Sequence, residues 1–203
     1  LLLVLILRFR VQAFLSLILA SLAVGLLAGM KPAALLASLQ SGMGNTLGFV
    51  ATVVGLGAML GQILESSGGA HALATALVRG FGTERAPLAL MLAGFCIAIP
   101  VFFDVGFIIL VPVLTALAHA TGRSILHYAI PLLAGLAVTH SFVPPTPGPV
   151  AVAEILKADL GWVIVLGIVT GLPTALLAGP VFGHWIGQRI IVAPPAPSGS
   201  SSA

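Results

Sequence analysis

Long apolar stretches without a single charged residue follow one another along the chain, separated by short segments that carry one or a few charges. A helix that crosses a bilayer needs roughly 18 or more such residues. Six stretches come near or exceed that length: residues 11–30, 32–64, 86–103, 105–122, 124–153 and 160–188. The pattern predicts an all-α polytopic membrane protein with the lipid bilayer as its surroundings.

Glycines, prolines and the isolated charges divide this pattern into consecutive elements. Residues 11–28 read as one helix, and a second span is predicted for residues 46–64. We predict scaffold-like transmembrane helices in 1–64, with a truncated first helix, and an interfacial linker helix in 65–85. A helical hairpin follows in 86–122 and a broken transmembrane helix in 123–159. The chain then continues as a final transmembrane helix in 160–190 and a flexible Pro/Ser/Gly-rich tail in 191–203.

The hairpin is predicted because residues 86–120 are too long for one helix and are divided by Pro100 and Asp104. Gly106 would ease a tight turn nearby. Residues 86–103 would measure about 27 Å as a helix, which is also enough to cross the hydrocarbon core. The sequence therefore leaves open whether the hairpin is re-entrant or fully spanning.

The broken helix is predicted from residues 139–149, which place four prolines within the last six positions. Proline lacks an amide donor and blocks helical continuity, so two half-helices are expected, at 125–140 and 150–156. Opened backbone at membrane depth survives only where protein or a water-filled cavity covers it. This segment is therefore a candidate binding site. The final helix, 160–186, contains Pro173 and Pro180, two positions that allow a kink.

Lysine and arginine concentrate on the cytoplasmic side of short loops, so the loop charges bear on the topology. With the hairpin entering and leaving on one side and the broken helix crossing the whole membrane, the split is six to two. The inside residues are then Arg8, Arg10, Arg79, Arg85, Arg123 and Arg189, and the outside residues are Lys31 and Lys157. Reading the hairpin as one span weakens this bias to four against four.

Composition excludes several other classes. Only 6% of the 203 residues are charged, and the net charge of +3 reflects a scarcity of acids. The sequence therefore contains no basic patch of the kind that binds nucleic acid. A single cysteine, Cys96, and histidines without ligand spacing argue against a metal site. Neither a nucleophile elbow nor an H-E-x-x-H motif occurs, so we expect no enzyme activity and no cofactor.

A close helix contact is indicated by Gly57 and Gly61, which are four residues apart within an apolar stretch. Small residues at this spacing lie on one face of a helix and let another backbone approach. A dinucleotide fingerprint would need glycine at Leu60 and a βαβ context, and the sequence has neither. We therefore predict a packing role for both glycines.

Asp104 is the acidic residue that stands alone in the apolar region, with 18 uncharged residues on either side. An intramembrane acid is costly and is by default a functional hypothesis, and desolvation would favour the neutral form that a proton carrier needs. The alternative is that Asp104 caps a water-exposed hairpin tip.

The break itself carries polar groups that suit an organic anion. His140 could donate to an anion, relay a proton or satisfy an opened carbonyl. Thr146-Pro147 and Gly148-Pro149 each resemble a helix cap followed by proline at the first helical position, where free N–H groups and the helix dipole favour a carboxylate. The substrate contacts that we predict are Thr139, His140, Ser141, Pro144, Pro145, Thr146 and Gly148.

The segments Phe103-Asp104-Val105-Gly106-Phe107 and 139–149, together with the glycine-rich stretch 55–61, make the chain resemble the gluconate permease family of gluconate:proton symporters. The resemblance covers nearly all of the chain. It implies a wider ion-transporter superfamily built from two inverted repeats, each with a re-entrant hairpin and a broken helix, and commonly dimeric. It also implies that Asp104 lies on the hairpin and that residues 140–148 contribute to the substrate site.

The expected function is therefore that of the N-terminal half of a secondary transporter in the bacterial inner membrane, carrying gluconate or a related sugar acid with protons. A missing C-terminal half and a homodimer of the complete protein are the implied partners, since sites in such transporters lie between the repeats. Two alternatives remain open: a sodium-coupled carboxylate carrier, and a non-transporting scaffold or degenerate fragment.

Overall fold

A computed structural model describes residues 1–195 of the chain, apart from the side chain of Thr46, and the described residues form helices and no strand. The helices are α1 (Leu2–Leu7), α2 (Ala13–Leu27), α3 (Pro32–Ser66), α4 (Gly69–Phe81), α5 (Ala86–Ile97), α6 (Phe103–Thr121), α7 (Leu126–Phe142), α8 (Pro147–Leu156), α9 (Leu160–Leu176) and α10 (Phe182–Arg189). Residues 196–203, most of the predicted tail, lie outside the described part.

Four helical segments in the described part are long and apolar enough to cross a membrane: Pro32–Ser66, Phe103–Thr121, Leu126–Leu156 and Leu160–Arg189. The prediction of an all-α polytopic membrane protein is thereby confirmed. The chain forms two compact units, Leu1–Phe49 and the part that begins at Val50, and α3 contributes to both.

In the first unit, α2 ends before Gly29, whose φ of +77° is the left-handed conformation that glycine adopts without steric cost. The Leu35 side chain packs over Gly25, so α2 and the start of α3 lie against each other. The predicted start of the second span at residue 46 is wrong, since α3 already begins at Pro32. Proline is favoured as a first helical residue, and the glycines at 42 and 44 stay helical because apolar surroundings require internal backbone hydrogen bonds.

In the second unit, α5 and α7 form the most extensive helix pair. They approach closely because each has a glycine at the crossing. A Cβ on Gly94 would lie 2.6 Å from the carbonyl oxygen of Leu132, and one on Gly135 would collide with the carbonyl oxygen of Met91. Helix α7 also contacts α6, α9 and α10, so it is the central helix of this unit.

Helix α4 packs against α5 and α6, and its Ala70 and Ala74 are fully buried in the main hydrophobic core. One face of the segment predicted as an interfacial helix therefore belongs to the helix bundle. The position of α4 relative to the membrane interface stays a prediction.

The two helices predicted as hairpin arms differ in length. Helix α5 has 12 residues, or about 18 Å at 1.5 Å per residue, whereas α6 has 19 residues, or about 28 Å. The helix expected from residue 86 to 103 thus stops at Ile97, because Pro100 interrupts the turn that follows. At this length α5 alone falls short of a hydrocarbon core of about 30 Å.

The final helix begins at Leu160, where the Asp159 carboxylate accepts a hydrogen bond from the Trp162 amide at 3.0 Å. Pro173 lies within regular α-helix. The helix changes at Leu177–Val181, a π-helical turn that contains Pro180. Of the two prolines, Pro180 is therefore the one that lies in the altered turn.

Candidate functional site

The break between α7 and α8 is formed by four residues, 143–146, in which the backbone leaves the helical conformation. Val143 is extended, with φ −114° and ψ 121°, and Thr146 is extended as well, with φ −61° and ψ 147°. Helix α8 begins at Pro147, three residues before the predicted position 150, because Pro147 is itself a suitable first helical residue. The predicted interruption of this helix is confirmed.

The prolines determine which backbone groups are open at the break. In an α-helix the carbonyls of His140 and Ser141 would accept from the amides of residues 144 and 145. Both of those residues are prolines and have no N–H, so neither donor exists. The C-terminal end of α7 therefore offers carbonyl oxygens, at the end of the helix that carries partial negative charge.

The N-terminal end of α8 offers fewer donors than the sequence suggested. Pro147 and Pro149 have no N–H, which leaves the Gly148 amide as the donor among the first three residues of α8. The Thr146 hydroxyl donates to the Val143 carbonyl at 2.8 Å and does not cap the helix. The expectation of several free amides needs this correction, because the prolines that start the helix also remove its donors.

A cleft connects the break with the hairpin tip and with the glycine-rich part of α3. It is lined by Val54, Gly57, Ala58, Ile99, Pro100, Val101, Phe102, Pro145 and Thr146. A Cβ on Gly57 would lie 2.7 Å from Cγ of Pro145, and one on Gly61 would collide with the carbonyl oxygen of Pro100. The predicted packing role of both glycines is confirmed, with backbone approaching Gly61 and a proline side chain approaching Gly57. The hairpin tip, residues 99–102, was not among the predicted site residues, and Pro100 was the available signal for it.

The predicted contact residues occupy different surroundings. Thr139 is fully buried, and its hydroxyl donates to the Phe95 carbonyl at 3.0 Å. Pro145 and Thr146 line the cleft, and Pro144 is buried. Ser141 and Gly148 are exposed. Their roles as substrate contacts stay predictions.

His140 lies at the junction of the break and the hairpin. Its ring centroid is 6.3 Å from that of Phe102, which precedes the first residue of α6. The buried Nδ1 atom of His140 has no hydrogen-bond partner within the described part of the chain. A buried nitrogen without a partner carries a desolvation cost, so His140 is suited to bind a group that supplies the partner.

Asp104 is exposed in the first turn of α6, two residues after Phe102. This location follows the hairpin tip, as the resemblance implied. A carboxylate in the first turn is stabilised by the positive end of the helix dipole. Asp104 thus lies two residues from Phe102 in the sequence, and the Phe102 ring is the one that His140 faces from α7.

Away from the break, the structure brings together residues that the sequence placed in unrelated positions. The rings of His127 and His184 have centroids 5.6 Å apart, and Arg123 lies within hydrogen-bond distance of His127. The described residues contain no group of three or more His, Cys, Asp or Glu that could hold a metal ion.

The segment before α6 and the proline-broken helix meet inside a bundle of apolar helices, so opened backbone lies within an integral membrane protein, where protein or a water-filled cavity must cover it. The family model described as GntP family permease matches residues 1–202. The chain belongs to this family, which confirms the resemblance seen in the hairpin and in the proline segment.

Three curated relatives illustrate the similarity. The chain is 44% identical to a gluconate permease of Pseudomonas aeruginosa over 195 residues, which are 96% of this chain and 43% of the relative. It is 40% identical to the Gnt-II system L-idonate transporter of Escherichia coli (strain K12) over 195 residues, with 96% and 44% covered. It is 41% identical to the high-affinity gluconate transporter of the same strain over 184 residues, with 91% and 42% covered.

The chain thus spans less than half the length of these curated relatives. The relatives carry the names of permeases and transporters, which are not enzymes, in agreement with the prediction from the sequence motifs. No solved structure matches the chain.

Proposed function

We propose that this chain forms part of a secondary transporter that carries gluconate or a closely related sugar acid across the bacterial inner membrane in symport with protons. The observation that supports it most is the junction at which Gly57 meets Pro145 and Gly61 meets Pro100. This junction holds the opened backbone of α7 and α8 against the hairpin tip. The names of the relatives, gluconate and L-idonate transporters, suggest the substrate class.

A sugar acid has one carboxylate and several hydroxyls, and the break offers a group for each. The Gly148 amide, at the positive end of α8, can donate to the carboxylate. The carbonyls of His140 and Ser141 can accept from hydroxyls, since Pro144 and Pro145 leave them without helical donors. His140 can supply a further polar contact through its unpartnered Nδ1. The relatives are more than twice as long as the part they share with this chain, so we expect further contacts from the remainder of such a protein.

Asp104 is the proposed proton carrier. It follows the hairpin tip directly. Protonation would remove the charge of its carboxylate during the step in which the hairpin tip and the break change their exposure from one side of the membrane to the other. Such a change of exposure is the basis of alternating access. The carboxylate is therefore proposed to be neutral during the step in which the substrate crosses.

The test is accumulation of radiolabelled gluconate by cells that produce the complete protein. Asp104→Asn is expected to abolish accumulation against a gradient while leaving exchange of internal for external gluconate, because the loaded carrier can still reorient. Asp159→Asn is the matched control, since Asp159 is exposed at the other side of the break and asparagine caps α9 equally well. Unchanged accumulation in Asp104→Asn would exclude the coupling role.

Sodium coupling is the second candidate, because carbonyls at a half-helix C-terminus also coordinate Na⁺. The opened carbonyls of His140 and Ser141 are the specific observation in its favour. Replacing external Na⁺ by choline separates the two mechanisms: proton symport continues, whereas sodium symport stops. A proton uncoupler gives the opposite result.

A further inference from the structure

A polar cluster lies at the end of the second unit opposite to the break. It consists of Arg123 in the loop before α7, His127 in the first turn of α7, and His184 and Gln188 on α10. About 20 Å of helix separates His127 from His140, since 13 residues rise by 1.5 Å each. The cluster is therefore separate from the proposed sugar-acid site, and the inference drawn from it does not depend on that proposal.

The hydrogen bonds of the cluster fix the chemistry that it presents. Nη1 of Arg123 donates to Nε2 of His127 at 3.3 Å, and Nε2 of Gln188 donates to Nε2 of His184 at 2.9 Å. Each imidazole accepts at Nε2 in this arrangement, so each carries its proton on Nδ1. The Arg123 guanidinium supplies a permanent positive charge to the cluster.

Arg123 is only weakly held by its acidic neighbour. The shortest distance from its guanidinium to Glu84 is 3.7 Å, and the two side chains are 44% and 86% exposed. An ion pair so long and so exposed contributes little, and the guanidinium keeps donors for a second anion. Glu84 would compete with such an anion, but its own exposure allows it to turn away into water.

Two open cavities flank the same three side chains, Arg123, His127 and His184. One, of about 350 Å³, is also lined by Ser124, Gln188 and Ile191. The other, of about 340 Å³, is also lined by Arg85, Leu88 and Pro180 and by the exposed carboxylate of Glu84. Each cavity thus combines cationic and hydrogen-bonding groups with apolar side chains, as a site for an amphiphilic anion requires.

The surroundings of the cluster fit a membrane interface. The Arg189 guanidinium lies 4.2 Å from the ring centroid of Trp185, and both side chains are on α10 beside the cluster. Tryptophan and arginine at the end of an apolar helix anchor it at the headgroup level. Ile191 is 83% exposed at the rim of the first cavity and offers an apolar surface to an acyl chain.

We propose that the cluster of Arg123, His127, His184 and Gln188 binds the phosphate group of an anionic phospholipid. A guanidinium is suited to bidentate contact with phosphate oxygens, and basic pockets between membrane helices recognise anionic headgroups. The phosphodiester lies between Arg123 and α10, and the acyl chains run past Ile191 and Trp185 into the bilayer. The bound lipid joins the start of α7 to the end of α10.

The test is native mass spectrometry of the complete protein, purified in detergent and offered equal amounts of phosphatidylglycerol and phosphatidylcholine. The unchanged protein is expected to retain phosphatidylglycerol preferentially. Arg123→Gln should lower that preference by about fivefold, the factor expected for one arginine near an anionic membrane surface. Arg79→Gln is the matched control, because Arg79 is an exposed arginine that lines neither cavity.

Two results would contradict the proposed lipid site, and they can be told apart. Equal losses in Arg123→Gln and Arg79→Gln would mean non-specific attraction and would overturn the site. Inorganic phosphate tests whether the cluster binds a soluble ligand instead. If phosphate raises the melting temperature of the unchanged protein but not that of Arg123→Gln, and both proteins show the same lipid preference, the cluster binds free phosphate. The lipid assignment would then be wrong. A melting temperature of Arg123→Gln equal to that of Arg79→Gln shows that the variant is folded.

Discussion

The hydroxyl of Thr139 donates to the carbonyl of Phe95 at 3.0 Å, and the threonine is fully buried. This bond joins the last full turn of α7 to the last turn of α5. It therefore connects the two helices shortly before each of them ends, α5 at Ile97 and α7 at Phe142. A residue that the sequence assigns to substrate contact therefore has a structural bond in this conformation. The two roles make different experimental predictions.

Thr139→Val is expected to destabilise the protein by about 1–3 kcal/mol, because it leaves the buried Phe95 carbonyl without its donor. Thr139→Ser keeps the hydroxyl and should lose much less. Thermal unfolding in detergent measures both variants. If Thr139→Val instead unfolds at the temperature of the unchanged protein and raises the KM for gluconate, the hydroxyl serves the substrate and not the helix pair.

Gly61→Ala is expected to weaken the contact between α3 and the hairpin tip. The added methyl group would collide with the Pro100 carbonyl, and such overpacking typically costs about 1–3 kcal/mol. Gly55→Ala is the control on the same helix, since a Cβ there meets nothing within 4 Å. Alanine at that position should be neutral or slightly stabilising, because glycine has the poorer helix propensity.

The two melting temperatures should therefore move apart, with Gly61→Ala below the unchanged protein and Gly55→Ala at or above it. Equal shifts in the two variants would show that the approach of α3 to Pro100 does not contribute to stability. Gluconate uptake should fall together with the melting temperature for Gly61→Ala only.

The double variant Pro144→Ala/Pro145→Ala gives the carbonyls of His140 and Ser141 the amide donors that they lack. Closing the helix at this point should remove the acceptors proposed for substrate hydroxyls. Uptake is expected to fall by about tenfold to a hundredfold, the range for a displaced binding geometry. Pro112→Ala, which likewise adds an amide in the exposed middle of α6, serves as the control and should retain uptake.

Production and melting temperature of the proline variants complete this comparison. A double variant that is produced, melts normally and transports normally would show that the opened carbonyls have no part in the substrate site.

The segment after α10 is held to the α6–α7 loop through Ser124. The Ser124 hydroxyl donates to the Ile190 carbonyl at 2.9 Å and accepts from the Val192 amide at 3.1 Å, beside a backbone bond from Ile125 to Val192 at 3.0 Å. Ser124→Ala should speed amide exchange at Val192 by about thirtyfold, since the two lost hydrogen bonds contribute about 1 kcal/mol each and their loss raises local opening.

Hydrogen–deuterium exchange at residues 190–195 measures this effect. Ser66→Ala is the control, because that exposed hydroxyl bonds only within its own helix end, to the Ile63 carbonyl at 3.2 Å. Equal exchange at Val192 in both variants would show that Ser124 does not restrain the segment.

Local features of the chain explain what could be predicted. The break at 143–146 and the interruption of the hairpin follow from prolines, whose missing amide acts on the residues next to them. The packing role of Gly57 and Gly61 follows from their spacing on one helix face. The start of α3 was missed because the glycines and polar residues near position 46 suggest a helix end, whereas a long apolar helix tolerates them.

The sequence by itself determined that this is an all-α membrane protein of the GntP permease family, with helices interrupted by prolines before α6 and between α7 and α8. These properties depend on apolar length and on backbone chemistry, which act within a few turns. Only the tertiary structure decided which elements meet: Gly61 with Pro100, Thr139 with Phe95, and His127 with His184. Those contacts join residues 39, 44 and 57 positions apart, and their pairing depends on how helices pack together, which no local pattern records.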